Sequence, residues 1–242
     1  MGKQWKTAGK LSQAEKKGAL FTKLSREIQV AVRLAGPHPE NNHRLKLALE
    51  TARFHSLPRD TIDRAIAKGQ GQKSEDQIEE LIYEGFGPHG IAMIVLCLTD
   101  NRVRTVSEIR FMFKKHNGSM GESGSVMWMF DKVALVQAKK EDDRNVEEEA
   151  IEAGADDIEK EEDSYIFYGT WEGLQTLREN LITKQWEVIK AELAYRAKDK
   201  VTLVDNQEQD VQNLLSLFRD NPDCKAVYTN WHGYTHLEGE FF

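Results

Sequence analysis

The sequence predicts an α+β protein in three parts: an N-terminal three-helix domain followed by two α+β ferredoxin-like domains, the third inserted in the second. Three features lead there. Up to about residue 71, apolar residues recur at intervals of three and four. From residue 78 the pattern turns extended, and from residue 132 the elements run strand, helix, strand, strand, helix, strand, with one more helix and strand to follow.

In the first helix Phe21, Leu24, Ile28, Ala31, Val32 and Ala35 fall on one side at 100° per residue. Lys16, Lys23, Arg26 and Arg33 fall roughly opposite. Ser12 with Glu15 three residues later has the form of a capping box, which predicts a helix start near Ser12. The eleven residues before it hold three lysines and an isolated Trp5 and are expected to form a mobile basic arm. Gly36, Pro37, His38 and Pro39 break the helix. Asn41 or Asn42 can cap a second helix whose Leu45, Ala48, Leu49 and Ala52 share a face, with Arg44, Lys46 and Arg53 off it. Pro58 opens a third, Asp60 suits its dipole, Ile62, Ala65 and Ile66 give an apolar stripe, and Gly69 is expected to close it.

After the linker GQGQKSED, strands are predicted over 78–86 and 91–98 around a turn at 87–90. The second is apolar on both faces, hence central. A helix follows with Val103, Val106, Ile109 and Phe113 on its stripe, ending at Asn117 and Gly118, and the glycine loop NGSMGESG leads to a predicted strand over 125–131. Strands are then expected over 133–138, 156–161, 164–168 and 186–195. The helices between them are 146–153, closed by Gly154, and 171–181, capped by Thr170. A last helix over 208–219 and a strand over 224–231 cannot fold as a domain by themselves, but they complete the ββαβ unit before the insertion. The expected domains are therefore 1–75, then 76–131 together with 201–236, and 132–200.

The chain has 242 residues, 40% hydrophobic and 30% charged, enough to bury a sizeable core. Its most apolar run, 91–98, is far too short to cross a bilayer, so no membrane association and a cytoplasmic location are expected. Cys97 and Cys224 have no CxxC spacing, which argues against a zinc ribbon or disulfide framework. Charge is unevenly spread. Through Ser74 there are nine Lys and six Arg against six acidic residues, a net of +9, and since the whole chain is −7 the remainder carries −16.

A basic helical head on an acidic body suits a phosphate-backbone binder, because each cation at a phosphate releases counterions. The head's candidate contacts are Lys3, Lys6, Lys16, Lys17, Lys23, Arg26, Arg33, Arg44, Lys46, Arg53, Arg59, Arg64 and Lys68. In the body, Arg102, Arg104 and Arg110, with Lys114 and Lys115, form a basic cluster, followed by the loop of Gly118, Gly121, Gly124 and Ser125.

No catalytic constellation emerges. His232 and His236 have i, i+4 spacing, but the glutamate of an HExxH motif is missing. The acidic run around Glu147, Glu148, Glu149 and Glu152 lacks the alternation and glycine of a calcium loop. The glycine series follows a helix and precedes a strand, the reverse of a phosphate loop, and no serine stands in a GxSxG context. Neither an enzyme, a metal site nor a cofactor is expected.

Four segments resemble the YebC family: KGALFTKLSREI at 17–28, LPRDTIDRAIAKG at 57–69, YEGFGPHG at 83–90 and DNRVRTVSEIRFMFKKHNGSMGESGSVMWMF at 100–130. The likeness spans about 18–232. Many members open with GHSKW and an IKHRK-like stretch, of which Gly2, Lys3, Gln4, Trp5 and Lys6 keep only part. The resemblance implies one helical and two α+β domains, nucleic-acid or ribosome association, and no known catalytic residue. It also implies contact roles for Lys17, Lys23, Arg26, Arg44, Arg59, Asp60, Arg64, Arg102, Arg104, Arg110, Gly118, Gly121, Gly124 and Ser125. The expected function is a non-enzymatic nucleic-acid-binding regulator of gene expression, a DNA-binding transcriptional regulator. The alternative is a translation factor or activator bound to the ribosome and rRNA. The sequence gives no oligomeric state.

Overall fold

The computed structural model describes residues 4–71, 77–141 and 144–234, with side chains from Lys16 onward. It has a helical N-terminal region followed by mixed α/β domains with antiparallel sheets. The chain divides into two compact units, one formed by residues up to Met129 together with those from Asp199 on, the other by Phe130–Lys198.

In the first unit, helices α1 (Gln4–Ala35), α2 (His43–Phe54) and α3 (Arg59–Gln70) enclose Leu24, Ile28, Val32, Leu45, Leu49 and Ala65. The turn between α1 and α2 is pinned by the buried side chain of Asn42. Its Nδ2 donates to the carbonyls of Ala31 and Gly36, each at 2.7 Å, and its Oδ1 accepts from Leu45 N at 3.0 Å, so all of its polar groups are used. Gly36 has φ +86°, the left-handed value that lets the chain leave α1.

The sheet of this unit has the order β3-β1-β2-β8, all antiparallel, from β1 (Glu79–Phe86), β2 (Ala92–Thr99), β3 (Ser119–Met120) and β8 (Cys224–Thr229). Every residue of β2 is buried, as its unbroken apolar run requires. Helices α4 (Arg102–Lys115) and α7 (Asp205–Asp220) set Ile109, Phe113, Val211, Leu214 and Phe218 against Met93, Val95 and Cys97. On the other face Leu98 packs with Val30 of α1 and with Ile78.

The second unit comprises β4 (Phe130–Lys139), α5 (Val146–Ala153), β5 (Asp157–Lys160), β6 (Tyr165–Thr170), α6 (Leu174–Thr183) and β7 (Glu187–Ala197). Its sheet order β5-β6-β4-β7 is the ferredoxin-like arrangement. Val136, Phe167, Leu177, Leu181 and Trp186 fill the core, and the Trp186 indole donates to Glu149 at 2.6 Å.

Four local expectations are corrected. Helix α1 begins at Gln4, well before Ser12, so the pair Ser12/Glu15 lies inside the helix and residues 4–11 form no separate arm. Helix α3 runs through Gly69 to Gln70. That glycine permits close packing on α1, since a Cβ there would stand 2.7 Å from the Cβ of Val32. Residues 125–131 are not one strand: Met127–Met129 form a 3-10 turn, and β4 starts at Phe130. The predicted helix over 171–181 opens with a 3-10 turn, Trp171–Gly173, before α6. The linker residues 72–76, the side chains of Trp5 and Lys6, Lys3 and His236 lie outside the described residues.

Candidate nucleic-acid interface

Four of the basic candidates, Lys23, Arg26, Arg44 and Arg104, are held by contacts distant in sequence within the first unit. Lys23 is 3% exposed, and its Nζ donates to the carbonyl of Arg219 at 2.6 Å. Arg26 reaches from α1 to the carbonyls of Leu98 at 3.1 Å and Pro222 at 2.8 Å and pairs with Asp223. Arg104 donates to Asp223 at 3.0 Å and to Asp100 at 2.9 Å, while the hydroxyls of Thr105 and Thr99 donate to the same buried Asp223 at 2.6 and 3.1 Å. Burial alone would raise the pKa of Asp223; the bonds from Thr105, Arg104 and Arg26 outweigh it and hold the carboxyl below its ordinary range.

Arg44 is bound in the same way. Its guanidinium donates to both oxygens of Glu27, at 2.7 and 3.1 Å, and pairs with Glu80 on β1, while Lys225 of β8 approaches Glu27 at 2.8 Å. Burial pushes Glu27 up, but Lys225 and Arg44 overcome it and hold the carboxyl at about 2. These residues connect the helices to the sheet. A phosphate could reach them only by displacing a carboxylate already in place.

The glycine loop is likewise turned inward. The buried Glu84 carboxylate of β1 accepts from the main-chain N–H groups of Gly124 at 2.6 Å, Val126 at 2.8 Å and Met127 at 2.7 Å. Gly121 N donates to the Glu84 carbonyl at 2.8 Å. A Cβ on Gly118 would stand 2.6 Å from the carbonyl of Phe86, and one on Gly121 would stand 2.4 Å from Ser125 Oγ. The glycines therefore serve the loop's approach to its own chain, and Gly124, at φ +86°, makes its turn.

The candidate cations that face solvent are Lys16, Lys17, Arg33, Arg53, Arg59, Arg64 and Lys68 on the helical head, and Arg102, Arg110, Lys114 and Lys115 on α4; Arg104 is also exposed but is paired with Asp100 and Asp223, and Lys46 is half-buried. The outer face of α3 is mixed, with Asp60 and Asp63 standing among Arg59, Arg64 and Lys68. A groove of about 550 Å³ in the first unit is lined by Arg26, Arg104, Glu108, Met112, Asp220 and Asp223. Three carboxylates against two guanidiniums make it a poor receptor for phosphate. Among the described residues no group of three or more His, Cys, Asp or Glu could hold a metal ion, and no helix is long and apolar enough to cross a membrane.

The family model described as the TACO1/YebC protein N-terminal domain matches residues 3–72, and that of the TACO1/YebC second and third domain matches 78–231. The chain belongs to the TACO1/YebC family. A relative in Bdellovibrio bacteriovorus named a probable transcriptional regulatory protein is 48% identical over 229 residues, covering 94% of this chain and 99% of that protein. One of the same name in Carboxydothermus hydrogenoformans is 40% identical over 220 residues, 89% of this chain and 90% of that one. The crystal structure of a conserved hypothetical protein from Aquifex aeolicus superposes with a TM-score of 0.84 at 39% identity, covering 90% of each chain.

Sequence reasoning missed Asp223, Glu27 and Glu84, the acidic partners that hold Arg26, Arg104 and Arg44 and the glycine loop. It also missed the exposed side chains of Val103, Phe111 and Trp128. Val103, expected on the apolar stripe of α4, is instead 76% exposed, because Thr105, Ile109 and Phe113 form the buried side; for Phe111, off the predicted stripe, and Trp128 a signal was legible.

Proposed function

We propose that this TACO1/YebC family member is a non-enzymatic nucleic-acid-binding regulator of gene expression in the cytoplasm, acting as a DNA-binding transcriptional regulator through phosphate-backbone contacts. The observation that carries the reading is the set of solvent-facing cations on the helical head, Lys16, Lys17, Arg33, Arg53, Arg59, Arg64 and Lys68, in a chain whose remainder is acidic. Such a surface gives affinity that falls with salt. It does not read bases: Asp60 and Asp63 on the outer face of α3 would meet the acceptor-rich edges and phosphates of a major groove, so α3 is not a recognition helix. The naming of the relatives as probable transcriptional regulatory proteins supports DNA as the target.

A second reading, a translation factor on rRNA or the ribosome, is favoured by one observation, the exposed Phe111 between cations on α4, since an exposed aromatic ring is a stacking platform for unpaired bases.

The test is equilibrium binding of the full chain to a random-sequence DNA duplex and to a folded rRNA fragment over a salt series. The variant Arg33→Gln/Arg53→Gln/Arg64→Gln/Lys68→Gln should lower affinity for all duplex sequences alike and reduce the salt slope by up to about 3.6. Salt-insensitive binding, or wild-type binding by this variant, would overturn the proposal. Tighter binding to rRNA than to DNA by the wild type would select the second reading.

A further inference from the structure

Helix α4 has an outer face that the fold leaves uncovered. Thr105, Ile109 and Phe113 point into the core, and the opposite side carries Val103, Ser107 and Phe111 at i, i+4 and i+8, with Arg110 and Lys114 one turn apart along its flank. Val103 is 76% exposed and Phe111 62%. The helix has one acidic residue, Glu108, which is turned away and accepts from the Asn221 amide at 3.0 Å. The face is thus free of carboxylates in a part of the chain whose net charge is −16.

We propose that this face binds a single-stranded stretch of nucleic acid, one unpaired base stacking on the Phe111 ring while Arg110 and Lys114 hold the flanking phosphates. The inference rests on the nucleic-acid reading above and names the form of nucleic acid this part of the surface takes. Duplexes hide their base faces and yield them only at the cost of unstacking a step, whereas any unpaired base offers a π face at no such cost. Two apolar side chains separated by a serine provide too little surface to hold a protein partner by burial, but one ring suffices for stacking. Arg104 and the glycine loop play no part, being held by Asp223 and Glu84. RNA and single-stranded DNA share this chemistry, and the experiment separates them.

The experiment uses fluorescence anisotropy with the full chain and three labelled probes: a twelve-nucleotide oligo(A) RNA, its DNA counterpart and a random-sequence DNA duplex. Phe111→Leu, which keeps bulk but removes the ring, should weaken binding to the single strands about 5- to 150-fold and leave the duplex unchanged. Phe111→Trp should restore it. Arg110→Gln/Lys114→Gln should lower the single-strand salt slope by about 1.4. Loss on RNA alone assigns the face to RNA, and loss on both strands assigns it to any unpaired strand.

Equal binding of single strands by wild type, Phe111→Leu and the double Gln variant would overturn the inference. So would ring-dependent displacement of the strand by a polyglutamate peptide, which would make the occupant an acidic protein, or ring-dependent self-association in analytical ultracentrifugation, which would make it a second copy. Wild-type binding to duplex but not to single strands removes this inference alone; binding to none of the probes removes the reading beneath it as well.

Discussion

The ammonium of Lys23 in α1 donates a 2.6 Å hydrogen bond to the main-chain oxygen of Arg219 in the last turn of α7, two residues that lie 196 positions apart in sequence. A carbonyl at a helix C-terminus is a natural acceptor for a cation. Burial still costs the charged form, and it lowers the pKa of Lys23 to about 8 from an ordinary 10.5.

Because the folded pKa lies below the unfolded one, the unfolded chain binds more protons between about pH 8 and 10.5, so deprotonation of Lys23 adds stability as pH rises through that window. Below pH 8 the burial cost is present in full. Lys23→Met should flatten this rise in a chemical-denaturation series, leave stability at pH 7 unchanged or higher by up to about 4 kcal/mol, and leave nucleic-acid affinity as it was. A tenfold loss of affinity with an unchanged stability profile would return Lys23 to the surface contacts.

Arg26 is expected to be a stability residue. Arg26→Ala strips the nearest cation from the buried Asp223 and leaves two carbonyls without their donor. The loss should be about 3 kcal/mol, seen as a melting temperature lower by roughly 6 to 12 °C. Melting within a degree of wild type would show that the Arg26–Asp223 pair contributes nothing.

Acid should loosen the contact between the helices and the sheet. Glu27, held at about 2 against an ordinary 4.5, contributes stability that is fully present above about pH 4.5 and is lost as pH falls toward 2; the lowered Asp223 acts in the same direction. The Glu27 share is about 3 kcal/mol. Glu27→Gln should therefore be less stable at pH 7 and show a shallower loss between pH 4.5 and 2 than wild type. Parallel acid profiles would refute this.

Glu84 should govern the order of the loop after α4. In Glu84→Gln an amide replaces the carboxylate that three main-chain N–H groups share, and its NH₂ end cannot accept. Limited proteolysis should then cut within residues 118–129 faster than in wild type, with a loss of about 2 kcal/mol. Unchanged cleavage there would contradict the assignment.

Much of the architecture was legible because it is local. Gly154, at φ +90°, ends α5 where the sequence predicted, and β2 is central because an unbroken apolar strand needs cover on both faces. The 3-10 turn Met127–Met129 was not legible. Its alternating pattern reads as a strand, and what bends it is a carboxylate some 40 residues earlier. The candidate site shows the same division. The sign of charge on Arg26 and Arg44 is written in the sequence, but their acidic partners, Asp223 and Glu80, lie 197 and 36 residues away, so helical spacing cannot tell a solvent-facing cation from a clamped one. Phe113 is buried and Phe111 exposed on one helix, a difference that periodicity does carry.

The placement of β8 next to β2 also bears on how the protein is made. During synthesis β2 is finished at Thr99, while the strand that closes its open edge starts at Cys224, about 125 residues later. At ordinary elongation speeds of about 5 to 20 residues per second, a nascent chain displays the apolar β2 with an unpaired edge for roughly 6 to 25 s. The intervening Phe130–Lys198 segment holds all four strands of its own sheet and can fold in that interval. The protein therefore stays open to misassembly until late in its own translation, when one sheet is complete and the earlier one still lacks its last strand.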